Sequence, residues 1–160
     1  VDNLIPDEKN YVRDEMHLPG GNGLNAGVIA HRLKREVILT GFTGGSNGEE
    51  IKRLLNRGKI PHNFVEIAGM TRMNLTIANK NDHRQTRLSF PGPLVKASEA
   101  RNLAAFLHKV SPEDIILLGG SLPLGLNTTY VVKLIKNFRS NGIRCLVDMP
   151  GHLLKDIITA

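Results

Sequence analysis

Residues 17–33 read HLPGGNGLNAGVIAHRL, a glycine-dense turn that leads directly into apolar residues at helical spacing. Gly20, Gly21 and Gly23 carry no Cβ atoms, so a ligand could approach their backbone closely. The helix that follows presents unpaired N–H groups to the turn, which suits a polyhydroxylated or anionic small molecule. Asn25 adds an amide that can both donate to and accept from a pair of hydroxyls. The same residues also fit an ordinary glycine turn at a helix start.

The composition indicates one soluble globular domain. The chain has 160 residues, of which 41% are hydrophobic and 22% charged, and no apolar run is long enough to cross a membrane. The start of the chain, VDNLIPDE, lacks the basic and then apolar pattern of a signal peptide. The single cysteine, Cys145, excludes an internal disulfide and lies in an apolar run, so we expect a packing role and a cytoplasmic protein.

The net charge of +6 does not predict nucleic-acid binding. The basic residues are scattered along the chain, and aromatic residues make up only 4% of it. A general attraction for anionic metabolites explains the charge equally well. The six histidines show no metal-ligand spacing, so we expect no histidine metal site.

Buried strands alternate with amphipathic helices over most of the chain, which predicts an α/β fold with a mostly parallel sheet. We expect strands at 36–42, 63–67, 114–118 and 143–148, and helices at 49–57, 98–110 and 128–140, the second of these capped by Ser98. Ligands bind at the carboxyl edge of such sheets. The sequence places glycine-rich or polar loops at that edge, at 41–48, 119–121 and 148–151.

Residues 71–78 and 85–90 alternate polar and apolar side chains around a polar turn, and this pattern predicts a β-hairpin with one solvated face. Inserted into a parallel-sheet protein, such a hairpin is a candidate lid. The segment up to Met16 resembles a half-exposed strand. The lid strands are therefore expected at about 1–18 and 71–91. No buried apolar strand precedes them, although α/β domains usually open with one.

Six short motifs occur in the order typical of the PfkB (ribokinase-like) family of sugar kinases, which the whole of residues 1–160 resembles. The likeness is strongest to its phosphosugar branch of 6-phosphofructokinases, 1-phosphofructokinases and tagatose-6-phosphate kinases, because of the Thr-Arg-x-Asn segment. The motifs are PGGxGxN at 19–25, GxxGGxxG at 41–48, TRxN at 71–74, PG at 91–92, GSLPxG at 120–125 and VDxxG at 147–151.

The resemblance implies a role for eight residues. It implies that Gly20, Gly21 and Asn25 hold sugar hydroxyls, that Arg72 holds the phosphate of the substrate, and that Ser121 contacts the substrate. Lys9 and Arg87 match basic lid positions close to the sugar phosphate. Asp148 matches an aspartate on the nucleotide side that helps organise Mg²⁺ through water. The resemblance also implies ATP as phosphoryl donor and a homodimer that forms through the lid.

The family's remaining parts are expected outside these residues. Its first strand, with an aspartate that binds sugar, would precede Val1, and its ATP pocket and general-base aspartate would follow Ala160, so no catalytic residue is assigned here. Two positions depart from the pattern: Asn22 stands where relatives carry lysine or glycine, which favours fructose 6-phosphate as substrate, and Gly119 stands where serine is common. Three hypotheses stay open: part of an ATP-dependent phosphosugar kinase, a non-catalytic sugar-phosphate sensor or partner subunit, and a structural remnant without a ligand.

Overall fold

The computed structural model describes residues 1–159 and confirms an α/β fold in which parallel strand pairs are flanked by helices. A parallel pair near the start, an antiparallel hairpin in the middle and a second parallel pair near the end alternate with five helices. In chain order the elements are α1 (Asn22–Arg32), β1 (Leu39–Thr43), α2 (Gly45–Arg57), β2 (His62–Glu66), β3 (Leu75–Ala78), β4 (Gln85–Leu88), α3 (Ala97–Leu107), β5 (Ile115–Gly119), α4 (Thr128–Ser140), β6 (Arg144–Asp148) and α5 (Gly151–Ile158).

The parallel strands form two separate pairs instead of one continuous sheet. β1 pairs with β2 from Leu39 opposite His62 to Thr43 opposite Glu66, and β5 pairs with β6 from Ile115 opposite Arg144 to Gly119 opposite Asp148. Within residues 1–159, β1 and β5 do not pair with each other, and both line an open cleft of about 2890 Å³. One edge of each pair therefore faces this cleft.

The helices α3 and α4 supply half of the ten buried apolar side chains in residues 1–159. Leu103 and Leu107 of α3 pack with Phe138 of α4 and with Ile143, and all four are buried. Burial of a side chain such as Phe138 contributes about 1.5–3 kcal/mol to stability. Cys145 packs partly buried against this cluster, and burial raises the pKa of its thiol, which agrees with the expected packing role.

Several helix boundaries differ from those expected. The helix α2 begins at Gly45 instead of Glu49, so most of the predicted 41–48 loop forms the end of β1 and the first turn of the helix. The helix α3 runs from Ala97 to Leu107, with Lys96 and not Ser98 at its N-cap. The helix α5 was not expected at all.

The Glu99 side chain links the start of α3 to the chain just after β2. Its carboxylate accepts hydrogen bonds from the backbone N–H of Lys96 (2.6 Å) and of Ala68 (2.9 Å). These two bonds, that from Lys96 first, hold the pKa of Glu99 below its usual value. The carboxylate therefore anchors residue 68, just after β2, to the first turn of α3.

The hairpin is present but shorter than expected, with Leu75 opposite Leu88 and Ala78 opposite Gln85. The predicted strand in the first eighteen residues is wrong: residues 1–20 form no strand. Instead their first residues bind the tip of the hairpin, where Lys80 N–H donates to the carbonyls of Val1 and Asp2, and Leu4 N–H donates to Asn79 Oδ1. Fifteen of the first twenty residues are exposed and none is buried, so backbone and amide hydrogen bonds do most to hold this part of the chain in place.

Candidate functional site

The structure brings Arg72 and Ser121 together, although 49 residues separate them in the sequence. Arg72 Nη2 donates a hydrogen bond to Ser121 Oγ at 2.9 Å. Arg72 lies just before the hairpin and Ser121 lies in the loop after β5. Both side chains are exposed and line the cleft, so a ligand could reach them.

A second hydrogen bond fixes the orientation of the Arg72 guanidinium. Arg72 Nη1 donates to the carbonyl oxygen of Phe90 at 3.3 Å, just after β4. Arginine carries five N–H donors in a planar group, so three remain for a ligand after these two contacts. A planar cation held at two points, with donors left over, is suited to a phosphate group.

Arg72 is also tied to the end of β1 through its neighbour Thr71. Thr71 N–H donates to the Gly44 carbonyl, and Gly44 N–H donates back to Thr71 Oγ1, both at 2.9 Å. Asn47 Nδ2, in the first turn of α2, donates to the Thr71 carbonyl at 2.8 Å. The carboxyl ends of β1 and β5 thus meet through residues 71 and 72, as the sequence predicted for this edge.

The glycine turn lies on the same side of the molecule as the loop after β5. Gly21 is the N-cap of α1 with φ 117°, a conformation that glycine adopts readily. Gly20 and Gly21 line the cleft, and a Cβ atom on either would meet nothing within 4 Å. The backbone of this turn is therefore open to a ligand.

The backbone of α1 touches β5 at Gly119. A Cβ atom at residue 119 would come within 2.6 Å of Gly23 N and 2.9 Å of Gly23 Cα. In this chain, glycine at 119 permits the close contact between the glycine turn and the end of β5. The departure from the family pattern at this position therefore has a steric reason.

Asn25 and Asp148 lie beside the cleft and not on its walls. The Asn25 side chain is exposed on α1 and makes no hydrogen bond within residues 1–159. Asp148 ends β6, and its Oδ2 accepts a hydrogen bond from Asn22 Nδ2 at 3.0 Å. Asp148 is thus joined to the first residue of α1, and its other carboxylate oxygen stays available.

Within residues 1–159, neither Lys9 nor Arg87 shares a hydrogen-bond partner with Arg72. The Lys9 ammonium lies 5.0 Å from the centre of the Tyr11 ring. Arg87, on β4, makes only a long contact of 3.5 Å to Gln85 Oε1. Both side chains are exposed, and neither lines the cleft.

Two residues that sequence reasoning gave no role contribute to the site. Asn22 contacts Asp148, and Phe90 supplies the carbonyl that orients Arg72. In the sequence, the only sign that Asn22 has a role is its departure from the glycine-turn pattern. The Phe90 contact involves a backbone carbonyl, so its side chain carried no signal at all.

The described residues offer no complete metal centre, since no three His, Cys, Asp or Glu side chains in 1–159 cluster in a way that could hold an ion. Among the helices of this part of the chain, none has the length and apolar character needed to span a bilayer.

Comparison with known proteins identifies the family of the chain. The family model described as pfkB family carbohydrate kinase matches residues 1–158. A D-tagatose-1-phosphate kinase from Bacillus licheniformis is 30% identical over 159 residues, which are 99% of this chain and 51% of that protein. The chain thus spans about half the length of this curated relative.

Two solved structures share the fold. Phosphofructokinase-2 from Escherichia coli in complex with fructose-6-phosphate superposes with a TM-score of 0.90 at 29% identity, over 94% of this chain and 50% of that one. The tetrameric inhibited form of the same enzyme gives 0.91 at 28% identity, over 98% and 52%. These matches confirm the ribokinase-like α/β fold. Because the family model matches nearly all of its residues, this chain belongs to the pfkB family of carbohydrate kinases.

Proposed function

We propose that this chain forms the sugar-phosphate site of an ATP-dependent kinase that phosphorylates a hydroxyl of a phosphorylated ketohexose, with fructose 6-phosphate as the favoured substrate. The observation that carries the proposal is the Arg72–Ser121 hydrogen bond of 2.9 Å at the cleft. It joins two residues that the family resemblance assigns to the substrate. The relative that acts on D-tagatose 1-phosphate and the structure with bound fructose-6-phosphate support a phosphosugar substrate.

In this proposal the phosphate of the substrate binds Arg72. Two of the guanidinium donors fix the side chain to Ser121 and Phe90, and the others face the ligand. Ser121 Oγ accepts from Arg72, so its own O–H is left to donate to the sugar phosphate. The bound anion thereby gains charge-assisted hydrogen bonds from a side chain that is already oriented.

The sugar hydroxyls would lie against the glycine turn. Gly20 and Gly21 allow the ring to approach the backbone, and the first N–H groups of α1 point toward it. The exposed amide of Asn25 can bind two neighbouring hydroxyls. Close positioning of the hydroxyl that attacks is the main contribution that a binding half can make to phosphoryl transfer.

Asp148 fits only a supporting role toward Mg²⁺ and ATP. Mg²⁺ keeps several waters and often uses one or two carboxylates together with the phosphates of the nucleotide. A single carboxylate with one oxygen already bound by Asn22 suits contact with a water of such an ion. When bound, the ion would neutralise charge on the transferred phosphoryl group.

The exposed hairpin favours a homodimer through the lid. Leu75 and Leu88 face each other across the last pair of the ladder and are 46% and 45% exposed, and Met73 and Phe90 beside them are also exposed. β3 and β4 each have one unpaired edge within the described chain. A second lid could cover these apolar side chains and edges. In such a dimer Lys9 and Arg87 would lie near the sugar phosphate.

Isothermal titration of the purified protein with fructose 6-phosphate, fructose and inorganic phosphate tests the proposal. We expect the phosphosugar to bind more tightly than either of its parts, and Arg72→Ala to weaken this binding roughly 10- to 100-fold, because charge-assisted bonds are lost. Arg101→Ala is the matched control, since Arg101 is exposed on α3 and makes no hydrogen bond in residues 1–159. Equal affinity of the wild type and Arg72→Ala would refute the assignment of the site.

A coupled assay with ATP then separates a kinase from a sensor. Turnover by the whole protein that is lost in Arg72→Ala supports the kinase. Tight binding without turnover by the whole protein supports a sugar-phosphate sensor or partner subunit. For residues 1–160 alone we expect binding without turnover, because they span about half the length of the kinase relative.

The single cysteine is compatible with a cytoplasmic protein.

A further inference from the structure

Asn74 lies immediately before β3, at the open end of the hairpin. The β3–β4 ladder ends at the pair Leu75–Leu88, so no ladder hydrogen bond holds the residues beyond it. Asn74 Oδ1 accepts a hydrogen bond from Phe90 N–H at 3.1 Å. A side chain thus extends the hairpin pairing beyond the last strand pair.

Phe90 is bound through both of its backbone polar groups. Its N–H donates to Asn74, and its carbonyl accepts from Arg72 Nη1. Phe90 as a whole is 52% exposed, so packing contributes little to its position. The next residue, Pro91, has no N–H with which to anchor the chain. The position of the Phe90 carbonyl therefore depends strongly on Asn74.

We infer that Asn74 is a positioning residue for Arg72, acting through the backbone of Phe90 to hold the guanidinium in the orientation that receives a phosphate group. The inference rests on the proposed function of Arg72 as the phosphate ligand. Asn74 does not touch the ligand itself. Its contribution is to reduce the number of orientations that Arg72 can adopt before the ligand arrives.

The hairpin offers a matched control at its other end. Asn79 Oδ1 accepts a hydrogen bond from Leu4 N–H, also at 3.1 Å. Asn74→Ala and Asn79→Ala thus remove the same kind of bond from the same hairpin, but only Asn74 is linked to Arg72. Any general effect of weakening the hairpin should appear in both variants.

The first measurement is titration of wild type, Asn74→Ala and Asn79→Ala with inorganic phosphate and with fructose 6-phosphate. We expect Asn74→Ala to weaken both ligands roughly three- to tenfold, the factor that corresponds to one hydrogen bond, and Asn79→Ala to bind as the wild type does. Equal binding by all three proteins, or equal weakening in both variants, would overturn the inference while the proposed function stands.

The second measurement needs no ligand. In ¹⁵N NMR spectra of the wild type we expect slow hydrogen exchange at the Phe90 amide and a resolved Arg72 Nε–H signal. We expect Asn74→Ala to accelerate exchange at the Phe90 amide and to broaden the Arg72 signal. Asn74→Asp keeps an acceptor oxygen at this place and should restore both signals. An Arg72 signal that is unchanged in Asn74→Ala overturns the inference. Failure of the wild type to bind fructose 6-phosphate would refute the proposed function, and the spectra would still decide the role of Asn74.

Discussion

Two glycine loops follow the carboxyl ends of parallel strands in this molecule, and they serve different purposes. The loop after β1 is Gly44, since α2 begins at Gly45, and the loop after β5 begins at Gly120, since β5 itself ends at the packed Gly119. A Cβ atom at Gly44 would come within 2.2 Å of the Gly69 carbonyl oxygen and 2.3 Å of the Ile67 carbonyl oxygen. At Gly120 it would meet nothing within 4 Å.

The comparison separates glycines that let the protein's own backbone pack closely from glycines that leave space for a ligand. The loop after β1 is filled by the protein itself, because Thr71 binds Gly44 and the chain turns at once into α2. The loop after β5 leads instead to Ser121, which is exposed at the cleft. A glycine-rich motif at a sheet edge therefore indicates a ligand site only where the space beside it stays open.

The substitution Gly44→Ala should have the largest effect on stability. The residue has φ −163°, which any residue can adopt, so the cost is purely steric. Two carbonyl oxygens of the backbone cannot move aside as a side chain could, and we expect a loss of about 3 kcal/mol or more. Urea unfolding followed by circular dichroism measures the difference.

Ser46→Ala is the control for this substitution. Ser46 is exposed in the first turn of α2 and should change stability by less than about 0.5 kcal/mol. If Gly44→Ala were as stable as Ser46→Ala, the loop after β1 would be open like the loop after β5. The contrast between the two loops would then be wrong.

The sequence predicted the elements of this fold well because their patterns are local. The apolar run at 114–118 and the turn signals around it indicated β5, and alternation indicated the hairpin. The sequence could not predict that α2 begins at Gly45, because glycine is a poor helix former and the contact that favours glycine here is tertiary: a Cβ atom at residue 45 would come within 3.1 Å of Met70 Cγ. The first residues of the chain alternate like a strand, but within residues 1–159 they find no strand partner.

The site was only partly predictable. Arg72 and Ser121 were assigned through the family pattern, and the structure shows that they touch. Lys9 and Arg87 were assigned in the same way, but their side chains contact Tyr11 and Gln85 instead, and their role stays a prediction. Asn74 binds a backbone N–H that the hairpin ladder leaves unpaired, and Asn22 binds the carboxylate of Asp148, 126 residues away in the sequence, so no local pattern encodes either contact.

The substitution Glu99→Gln tests whether the Glu99 carboxylate stabilises the backbone that packs against Gly44. We expect an intermediate loss of stability. Glu99 binds Ala68 N–H, next to the Gly69 carbonyl that faces Gly44. Its pKa is lowered in the folded protein by the N–H groups of Lys96 and Ala68. The stabilisation is therefore present above the pKa of about 4.3 that glutamate has in an unfolded chain, and it is lost as the pH falls through the lower folded value.

Thermal unfolding from pH 3 to pH 7 measures this effect. We expect Glu99→Gln to melt below the wild type at pH 7, and the two melting curves to converge toward pH 3. Glu113→Gln serves as control, because the Glu113 carboxylate makes no hydrogen bond or ion pair in the part of the chain described. A difference between wild type and Glu99→Gln that stays constant with pH would show that the charge of Glu99 does not stabilise this loop.

The substitution Gly20→Ala should have the smallest effect on stability and still affect the ligand. A methyl group at residue 20 meets nothing within 4 Å, so unfolding should change by less than about 0.5 kcal/mol. In the proposed complex that methyl group occupies the space through which the sugar approaches the backbone, and fructose 6-phosphate should bind several-fold more weakly. Gly151→Ala is the matched control, since its methyl group also enters open space but at the start of α5. If titration showed unchanged affinity in both variants, the open glycines of the first turn would not face the sugar, and Arg72 would be left to bind the phosphate without them.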